Sequence, residues 1–362
     1  VVAYDGIREH LLRAIAEGRA PDIAMVDHVW IAEFADGHMI HSFHDLDADW
    51  THSMLHSILH PSATKGYKHD GELYAIPEEV NLAGVWFDRD LHERIGAPPL
   101  ATWEDLAAAA TAAQELEPGM YPIALPGGEA ARETTTYCIA ALLASNGAAI
   151  IDDAVTLDSP ASVAGLRFLR GLVESGLVSP AVRKAAWLDA PARLGAGAAA
   201  FTFGGSYEAE HIARYAGRTV DTVFDRYRFE PFAAGPNGDR ATVIGGMGYA
   251  IFRQSRDPYS ALDLVKAITA PEHLDERSRR HATISPTGRS IDSLSEVSGL
   301  GDGGPLLDSA WTRPVVASYP QVTKQIQRMV DSVISGATRP AAAVERAAEF
   351  IGSVTDLPVV HR

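Results

Sequence analysis

Aromatic residues stand beside polar residues where several predicted strands end. The positions that share this arrangement are Asp27, His28, Trp30, Glu79, Asn81, Tyr137, Tyr207, Trp311 and Arg313. An aromatic ring stacks on the apolar C–H face of a pyranose, and carboxylate, amide and guanidinium groups bind its hydroxyls, often in bidentate fashion. The combination is typical of a sugar-binding site. The alternative for each ring taken singly is that it caps a hydrophobic core.

Eight of the 14 histidines fall between positions 28 and 69, so a metal site has to be considered. His52, His56 and His60 would share one face of a helix, and imidazole is a common transition-metal ligand. A dedicated site needs three or four converging ligands, each oriented by further hydrogen bonds. Because the spacing of these histidines is irregular, we expect a solvated surface and no physiological metal site. His28 alone is expected to reach a ligand, because it adjoins Asp27.

Two segments match enzyme motifs by residue type, but neither has all the features that its motif requires. Residues 299–304 spell G-x-G-x-x-G, but a polar segment precedes them where a dinucleotide site needs a buried strand, and Pro305 follows. Ser206 lacks the second glycine of a nucleophile elbow, because Glu208 occupies that position. We interpret residues 299–305 as an exposed loop and expect no cofactor.

Charge and composition exclude several classes of protein. The 362 residues include 31 Lys and Arg against 47 Asp and Glu, a net charge of −16, which would repel nucleic-acid phosphates. We therefore expect no nucleic-acid partner. No apolar run approaches the roughly 18 residues of a membrane span. The length predicts about two domains, and the single Cys138 can form neither an internal disulfide nor a zinc cluster.

The elements that must position these residues alternate along the chain. Short apolar runs between segments of helical period favour an α/β protein with mainly parallel sheets. The runs predicted as buried strands cover residues 22–26, 83–87, 123–125, 198–203 and 249–252. Thr102 with Asp105 predicts a capped helix start, and Ser159 before Pro160 predicts another. A helical hairpin is predicted at the end of the chain, with Gly336 between its helices.

Several longer motifs follow one another in an order that few unrelated proteins share. They are AEGRAPDI at 16–23, GELYAIP at 71–77, VWFDRDL at 85–91, PPLATWEDL at 98–106, the segment 195–207, ISPT at 284–287, and the tail from Arg313-Pro314 to Gly336. On these residues the chain resembles the extracellular solute-binding proteins of ABC importers, specifically the sugar-binding group that includes maltose- and trehalose-binding proteins. It departs from that family at Asp88, where Asn is usual, and at Tyr207, where many members have Trp.

The resemblance implies a type II periplasmic-binding-protein fold, with two α/β lobes and a ligand cleft between them. Residues 1–80 and 246–312 would form the first lobe, and residues 81–245 and 313–362 the second. The three crossovers between the lobes would fall near residues 79–82, 243–246 and 312–318. The chain begins at Val1, after the family's first strand, so we expect the front of the first lobe to be truncated.

The resemblance also implies a binding function in which no covalent bond is made or broken. One ligand, a mono- or oligosaccharide, would lie in the cleft with Tyr137 and Tyr207 on the wall of the second lobe and Gly246 at a hinge. Lobe closure would then deliver it to the membrane permease. We expect a monomer that works in the periplasm or outside the cell, free or lipid-anchored. The alternatives are another solute (glycerol phosphate, a polyamine or a metal) or, less favoured, a glycoside-processing enzyme with Glu79 and Glu133 as its carboxylate pair.

Overall fold

The computed structural model describes residues 4–287 and 303–361. Its α-helices are α1 (Tyr4–Ala16), α2 (Ile31–Asp36), α3 (Phe43–Ser53), α4 (Pro61–Thr64), α5 (Arg89–Arg94), α6 (Trp103–Leu116), α7 (Glu133–Ala144), α8 (Pro160–Glu174), α9 (Asp189–Gly195), α10 (Ala209–Tyr215), α11 (Val220–Val223), α12 (Pro258–Ile268), α13 (Pro271–His281), α14 (Gly303–Ser309), α15 (Tyr319–Ile334) and α16 (Pro340–Thr355). None of these helices is both long and apolar enough to cross a membrane.

Shorter helical turns and strands complete the described chain. The 3-10 helices are His28–Trp30, Lys65–Tyr67, Glu129–Ala131, Pro180–Lys184 and Ser206–Glu208, and Met54–Ile58 is a π-helix. The strands are β1 (Ile23–Asp27), β2 (Lys68–His69), β3 (Glu72–Leu73), β4 (Ile76–Pro77), β5 (Asn81–Asp88), β6 (Ile123–Ala124), β7 (Phe201–Gly205), β8 (Tyr227–Pro231), β9 (Val243–Gly245), β10 (Met247–Ile251) and β11 (Trp311–Thr312). The five predicted strands are confirmed, with ends shifted by at most three residues.

The prediction of mainly parallel sheets is wrong. One sheet has the order β1-β10-β4, and both of its pairings are antiparallel. A second has the order β11-β9-β5-β7-β6 with β8 also paired to β5, and only its β11–β9 and β6–β7 pairings are parallel. Strands β2 and β3 form a small antiparallel sheet of their own. An apolar run shows that a strand is buried on both faces, which is common in parallel sheets, but it carries no information on strand direction.

The first lobe is built on the three-stranded sheet. Its strand β1 pairs with β10 from Ile23 opposite Ile251 to Asp27 opposite Met247. Helices α1, α2, α3 and α12 cover this sheet and contribute to one hydrophobic cluster with Leu11, Phe34, Phe43 and Leu262 among its members. The cluster holds β1 in place, so the end of β1 at Asp27 is rigidly positioned.

The second lobe is built on the six-stranded sheet around β5, which is buried along its whole length. Helices α6, α7, α8, α15 and α16 pack in its hydrophobic core, which includes Leu106, Leu142, Leu169, Val330 and Ile351. Helices α15 and α16 form the predicted terminal hairpin, and Gly336 between them adopts a positive φ of 74°.

Local helix signals are confirmed where they were predicted. The hydroxyl of Thr102 accepts a hydrogen bond from the backbone N–H of Asp105, whose carboxylate accepts one from the backbone N–H of Thr102. The hydroxyl of Ser159 likewise accepts from the backbone N–H of Ser162. Each of these caps satisfies donors that the first turn of a helix leaves unpaired.

The chain passes between the two sheets inside predicted crossover segments. Strand β4 of the first sheet ends at Pro77 and β5 of the second begins at Asn81, and β9 ends at Gly245 two residues before β10 begins at Met247. Strand β11 hydrogen-bonds to β9 in the second sheet, although the predicted boundaries assign its residues to the first lobe. These passages bring several strand ends to one place between the lobes.

The histidine-rich segment does not form the predicted single helix face. Helix α3 ends at Ser53, a π-helix carries His56, and Leu59 is extended. His60 then caps α4, where its Nδ1 accepts from the backbone N–H of Ser62. The change to a wider helical turn and the break after it separate His60 from His52. Of the predicted loop 299–305, residues 299–302 lie outside the described residues, and α14 begins at Gly303.

Candidate ligand-binding cleft

A cavity of about 260 Å³ lies between the two lobes, and we call it the cleft. Its lining residues are Tyr4, Asp27, Glu79, Asn81, Glu133, Thr134, Tyr137, Trp187, Tyr207, Glu210, His211, Gly246, Met247, Arg277, His281, Thr283 and Arg313. Ligand pockets are typically concave and roughly 300–1,000 Å³ in volume. The cleft lies just below this range, which suits a small solute.

Strand ends supply one part of the lining. Asp27 ends β1, Asn81 begins β5, Gly246 separates β9 from β10, and Arg313 follows β11. The backbone of Gly246 has φ of +152°, and a Cβ atom there would lie 2.5 Å from the backbone oxygen of Glu79. A glycine is therefore required where these crossovers meet.

Arg313 is the central charged group of the cleft. Its Nη1 donates to Glu133 Oε1 at 2.5 Å, and its Nη2 lies 3.5 Å from Asp27 Oδ1. Its guanidinium also stacks over the ring of Tyr137 at 4.9 Å. The side chain is almost completely buried, yet its Nε–H has no hydrogen-bond partner in the described residues. Although burial alone would lower the pKa of Arg313, the carboxylate of Asp27 and its other neighbours raise it well above the ordinary value.

Glu133, the first residue of α7, is held by groups from α15 as well as by Arg313. Tyr319 donates its hydroxyl to Glu133 Oε1 at 2.6 Å, and Thr323 donates to Oε2 at 2.7 Å. Burial raises the pKa of Glu133 despite the opposing effect of the Arg313 cation. Both carboxylate oxygens are thus already hydrogen-bonded within the protein.

Asp27 is fixed from the first lobe. Its Oδ2 accepts from the hydroxyl of Tyr4 at 2.6 Å, and its Oδ1 accepts from the backbone N–H of Val29 at 3.2 Å. The ion pair of Asp27 with Arg313 therefore joins the end of β1 to the segment that follows β11.

His28 lies beneath Arg313 and is buried. Arg313 Nη2 donates to His28 Nε2 at 2.7 Å, so the neutral ring carries its proton on Nδ1. Burial and the adjacent Arg313 cation lower the pKa of His28 to about 3. His28 acts as a neutral support for the arginine and does not line the cleft.

Tyr137 and Asn81 form a hydrogen-bonded pair on the wall of the second lobe. The hydroxyl of Tyr137 donates to Asn81 Oδ1 at 2.8 Å. The Asn81 amide N–H₂ group is not engaged by that bond, so it can donate to a ligand oxygen.

Trp187 and Tyr207 present the second aromatic surface. Their rings meet edge to face with centroids 6.1 Å apart, and the ring of His211 meets Trp187 at 5.2 Å on α10. Trp187 and Tyr207 are both only partly buried. Their partly open rings can stack on an apolar ligand face.

Of the two adjacent residues Glu78 and Glu79, Glu79 lines the cleft and Glu78 does not. Glu78 is buried, accepts from the Tyr249 hydroxyl, and pairs with Arg277 Nε at 3.0 Å. Burial and the neighbouring Glu78 charge raise the pKa of Glu79, which has the Thr283 hydroxyl beside it. Glu79 forms no ion pair with any described residue.

The structure brings seven of the ten predicted site residues to the cleft: Asp27, Glu79, Asn81, Tyr137, Tyr207, Gly246 and Arg313. His28 lies behind Arg313. Trp30 stacks on Tyr4 with ring centroids 6.2 Å apart and lines an adjacent cavity that shares Tyr4 and Glu133 with the cleft. Trp311 does not line the cleft, because β11 is an edge strand that leaves its ring partly exposed.

Several lining residues were missed by the sequence reasoning because they come from helices and loops. Tyr4 belongs to α1, Glu210 and His211 to α10, and Arg277 and His281 to α13. Trp187 lies in the short connection between the 3-10 helix Pro180–Lys184 and α9, and its sequence neighbours give no signal that would have identified it.

The histidine-rich segment lies away from the cleft apart from His28. The rings of His44 and His52 are 5.5 Å apart, and those of His52 and His56 are stacked at 5.9 Å. Among residues 4–287 and 303–361, no group of three or more His, Cys, Asp or Glu side chains is placed to hold a metal ion.

Solved structures share this fold. Maltose-bound MalE3 of T. maritima has a TM-score of 0.85 at 23% identity, covering 96% of this chain and 88% of that one. A solute-binding protein of Thermotoga lettingae bound with α-D-tagatose has a TM-score of 0.83 at 20% identity, covering 97% and 89%. One of Agrobacterium radiobacter K84 in complex with ribitol has a TM-score of 0.80 at 18% identity, covering 96% and 89%. The predicted type II fold is confirmed.

Comparison with known sequences identifies the same family as the motifs described in the sequence analysis. An ABC transporter-binding protein of Deinococcus radiodurans is 25% identical over 300 residues, which cover 79% of this chain and 70% of that protein. A binding protein of Brucella abortus is 21% identical over 361 residues, covering 96% and 83%. The model of the family described as bacterial extracellular solute-binding protein matches residues 1–292. That match spans most of the sequence, and the chain belongs to the bacterial extracellular solute-binding proteins.

Proposed function

We propose that this protein is the solute-binding component of an ABC importer and that its ligand is a carbohydrate held in the cleft. It would work outside the cytoplasmic membrane as a monomer, free or lipid-anchored, and deliver the sugar to the permease. The lobes in this proposal are residues 1–80 with 246–312, and 81–245 with 313–362, except that β11 (Trp311–Thr312) pairs into the sheet of the second lobe. MalE3 of T. maritima with maltose and the T. lettingae protein with α-D-tagatose support a sugar as the class of ligand.

The observation that carries the proposal is the presence of stacking and polar groups together in the lining of one cavity. Trp187, Tyr207 and Tyr137 supply rings, while Asn81 and Arg313 supply donors at strand ends. A pyranose has an apolar face for the rings and a rim of hydroxyls for the donors and carboxylates.

The mechanism follows from the position of the cleft. A sugar that contacts Asp27 in the first lobe and Tyr207 in the second makes its full set of contacts only when the lobes are closed. The ligand then shifts the equilibrium between open and closed forms by its difference in affinity for the two. Closure is the signal that the permease would recognise.

The alternative of a glycoside-processing enzyme is less well supported. Such an enzyme needs two carboxylates free to transfer a proton and to attack or activate water. Glu79 and Glu133 both line the cleft, but Arg313, Tyr319 and Thr323 already bind the carboxylate of Glu133. Incubation with oligosaccharides and analysis of the products tests this point, and cleavage products would contradict the proposal.

A thermal-shift screen against mono-, di- and oligosaccharides tests the proposed function. A ligand that binds only the folded state stabilises it by RT ln(1 + [L]/Kd), about 2.7 kcal/mol at a hundred times Kd. We expect at least one sugar to raise the melting temperature. The proposal would be overturned if no sugar raised the melting temperature while glycerol phosphate did. It would also be overturned if no sugar raised the melting temperature and elemental analysis found a tightly held metal.

Tyr207→Ala tests the location of the site. Loss of the ring should weaken sugar binding by about tenfold, which corresponds to roughly 1.4 kcal/mol. Tyr259→Ala is the matched control, because Tyr259 is a largely exposed aromatic residue on α12 that does not line the cleft. Equal affinity of the two variants in calorimetry would place the ligand elsewhere.

A further inference from the structure

The side chain of Arg132 joins the two lobes beside the cleft. Its Nη1 donates to the backbone oxygen of Asp5 at 2.6 Å and lies 3.9 Å from Glu9 Oε1. Asp5 and Glu9 belong to α1, which packs on the core of the first lobe, whereas Arg132 precedes α7 in the core of the second. The hydrogen bond can therefore exist only while α1 and the start of α7 stay close together.

The Arg132 contact borders a second cavity between the lobes, which we call the side cavity. It measures about 370 Å³ and is lined by Arg132, Asp5 and Glu9 among other residues. It shares Tyr4 and Glu133 with the cleft. Opening of the lobes on this side would widen the side cavity and separate Arg132 from α1.

The backbone of Arg132 has an unfavourable conformation. Its φ is +51° and its ψ is −128°, a combination that glycine adopts readily and that costs free energy for a residue with a side chain. Its N–H nevertheless donates to the backbone oxygen of Glu129 at 3.2 Å, and its own oxygen accepts from the backbone N–H of Thr135 at 3.1 Å. These two bonds fix the strained backbone between the 3-10 helix Glu129–Ala131 and α7.

Arginine brings no local advantage to position 132. The residue precedes the first turn of α7, where Ser, Thr, Asp or Asn would cap the helix, but the Arg132 side chain makes no capping hydrogen bond. Glycine would fit the positive φ without strain. Within the described part of the chain, the guanidinium of Arg132 instead donates to α1 of the other lobe. The position thus favours arginine for a contact between the lobes and not for the local fold.

The next residue fixes the base of the arginine side chain. Glu133 is held in the second lobe by Arg313, Tyr319 and Thr323, so the backbone of Arg132 has little freedom to move within that lobe. A group that is held in its binding position beforehand loses less conformational entropy when it binds. Even a single contact to α1 can therefore contribute to holding the lobes together.

We propose that Arg132 is a latch between the lobes: its strained backbone directs the guanidinium to the backbone oxygen of Asp5, and this bond stabilises the arrangement of the lobes in this structure, the closed form. Because the side chain is 54% exposed, the bond should favour closure by only about three- to tenfold.

The latch acts on ligand affinity without contacting the ligand, and this consequence rests on the proposed function. A sugar that binds only the closed form has an apparent affinity proportional to the closed fraction. While that fraction is small, the latch raises the affinity by the same factor as the fraction.

The test measures lobe closure in the ligand-free protein. Arg167→Cys on α8 and Asp263→Cys on α12 provide exposed sites for spin labels in the two lobes, while the native Cys138 is buried. Pulsed electron paramagnetic resonance then gives the fraction of molecules whose label distance matches the closed form. We expect Arg132→Ala and Arg132→Gly each to lower the ratio of closed to open protein by at least about threefold.

Arg94→Ala is the matched control for the loss of an exposed arginine. The Arg94 side chain is 57% exposed, and its ion-pair partner Glu117 lies in the same lobe, so the ratio of closed to open protein should not change. Melting temperatures test the backbone strain separately. Arg132→Gly should melt above Arg132→Ala, although glycine is ordinarily the less stabilising of the two residues.

Three results would overturn the inference. They are equal ratios in Arg132→Ala and Arg94→Ala, a wild type with no detectable closed population, and a higher melting temperature for Arg132→Ala than for Arg132→Gly. The last result would mean that the backbone at position 132 is not strained. Because none of these measurements uses a ligand, the proposed carbohydrate function stands if the latch fails, and a failed sugar screen does not change the outcome for the latch.

Discussion

Nη1 of Arg313 donates to Oε1 of Glu133 at 2.5 Å, so a buried ion pair ties the segment after β11 to the first residue of α7. Neither side chain is freely hydrated. Because Arg313 also contacts Asp27 and His28, this pair connects groups of both lobes at the floor of the cleft. The pair is thus part of the framework of the site as well as of its surface.

Glu133→Gln should destabilise the protein markedly. The amide can replace some hydrogen bonds, but it leaves the buried Arg313 cation with one carboxylate fewer, and breaking a buried pair costs roughly 3–5 kcal/mol. Urea denaturation measures the loss. Glu174→Gln is the control, because Glu174 forms an exposed i,i+4 pair with Arg170, worth about 0.5 kcal/mol or less. Equal midpoints for the two variants would show that the buried pair contributes little.

The local elements of this fold could be predicted from the sequence because their signals are local. The Thr102 and Ser159 caps and the five apolar strands depend on neighbouring residues. Strand direction depends on distant pairings such as Val85 opposite Phe203, which no short window of sequence contains. The antiparallel sheets were missed for that reason.

The candidate site could be predicted only in part, because some of its residues follow a local pattern and others do not. Polar residues at strand ends, such as Asp27 and Arg313, converge because strands of both sheets end at the crossovers. Trp187 and Arg277 arrive from a loop and a helix, where the sequence pattern carries no sign of a cleft. Trp311 fits the strand-end pattern, but an edge strand turns it toward solvent.

Gly246→Ala should destabilise the crossover between β9 and β10. A Cβ atom would meet the backbone oxygen of Glu79 at 2.5 Å, and the φ of +152° is unfavourable for any residue with a side chain. We expect a loss of about 1–3 kcal/mol, measured as a lower melting temperature. Gly171→Ala, in α8 with no atom within 4 Å of its Cβ position, should instead stabilise by about 1 kcal/mol. A neutral or stabilising effect of Gly246→Ala would contradict the steric argument.

Glu208→Gln should stabilise the protein at neutral and alkaline pH. The carboxyl of Glu208 is completely buried, and no side chain of the described residues hydrogen-bonds to either oxygen; the nearby backbone N–H of Gly205 only partly opposes the effect of burial. Burial raises its pKa well above the ordinary value. The native carboxyl therefore stays protonated at a pH where the unfolded chain ionises it, and wild-type stability falls as the pH rises above the ordinary carboxyl pKa.

The measurement is the melting temperature of wild type and Glu208→Gln at pH 4 and pH 8. The variant should be close to wild type at pH 4 and more stable at pH 8. The exposed Glu115→Gln should follow wild type at both values. A gap of the same size at both pH values would mean that ionisation of Glu208 is not the cause.

The contribution of His28 to stability should fall as the pH is lowered, which is opposite to the pH dependence expected from Glu208. Burial and the Arg313 cation lower its pKa to about 3, against an effect of Asp27 that would raise it. The unfolded chain takes up a proton near pH 6.5 that the native protein does not accept, so stability is retained above pH 6.5 and lost progressively as the pH falls toward 3. Between pH 7.5 and pH 5 the loss from this one residue is about 2 kcal/mol, because the slope approaches 1.36 kcal/mol per pH unit only below pH 6.5.

His28→Gln tests this, because the oxygen of the longer amide side chain can reach the position of Nε2 and accept from Arg313, and the side chain does not titrate. The free energy of unfolding, measured by urea at pH 7.5 and pH 5, should show wild type losing about 2 kcal/mol more than the variant over this interval. The exposed His10→Gln should lose as much as wild type. If His28→Gln also loses the full amount, the native ring accepts a proton at pH 5. Arg313 would then have to release Nε2, and its hydrogen bond to His28 would not hold the arginine in the cleft.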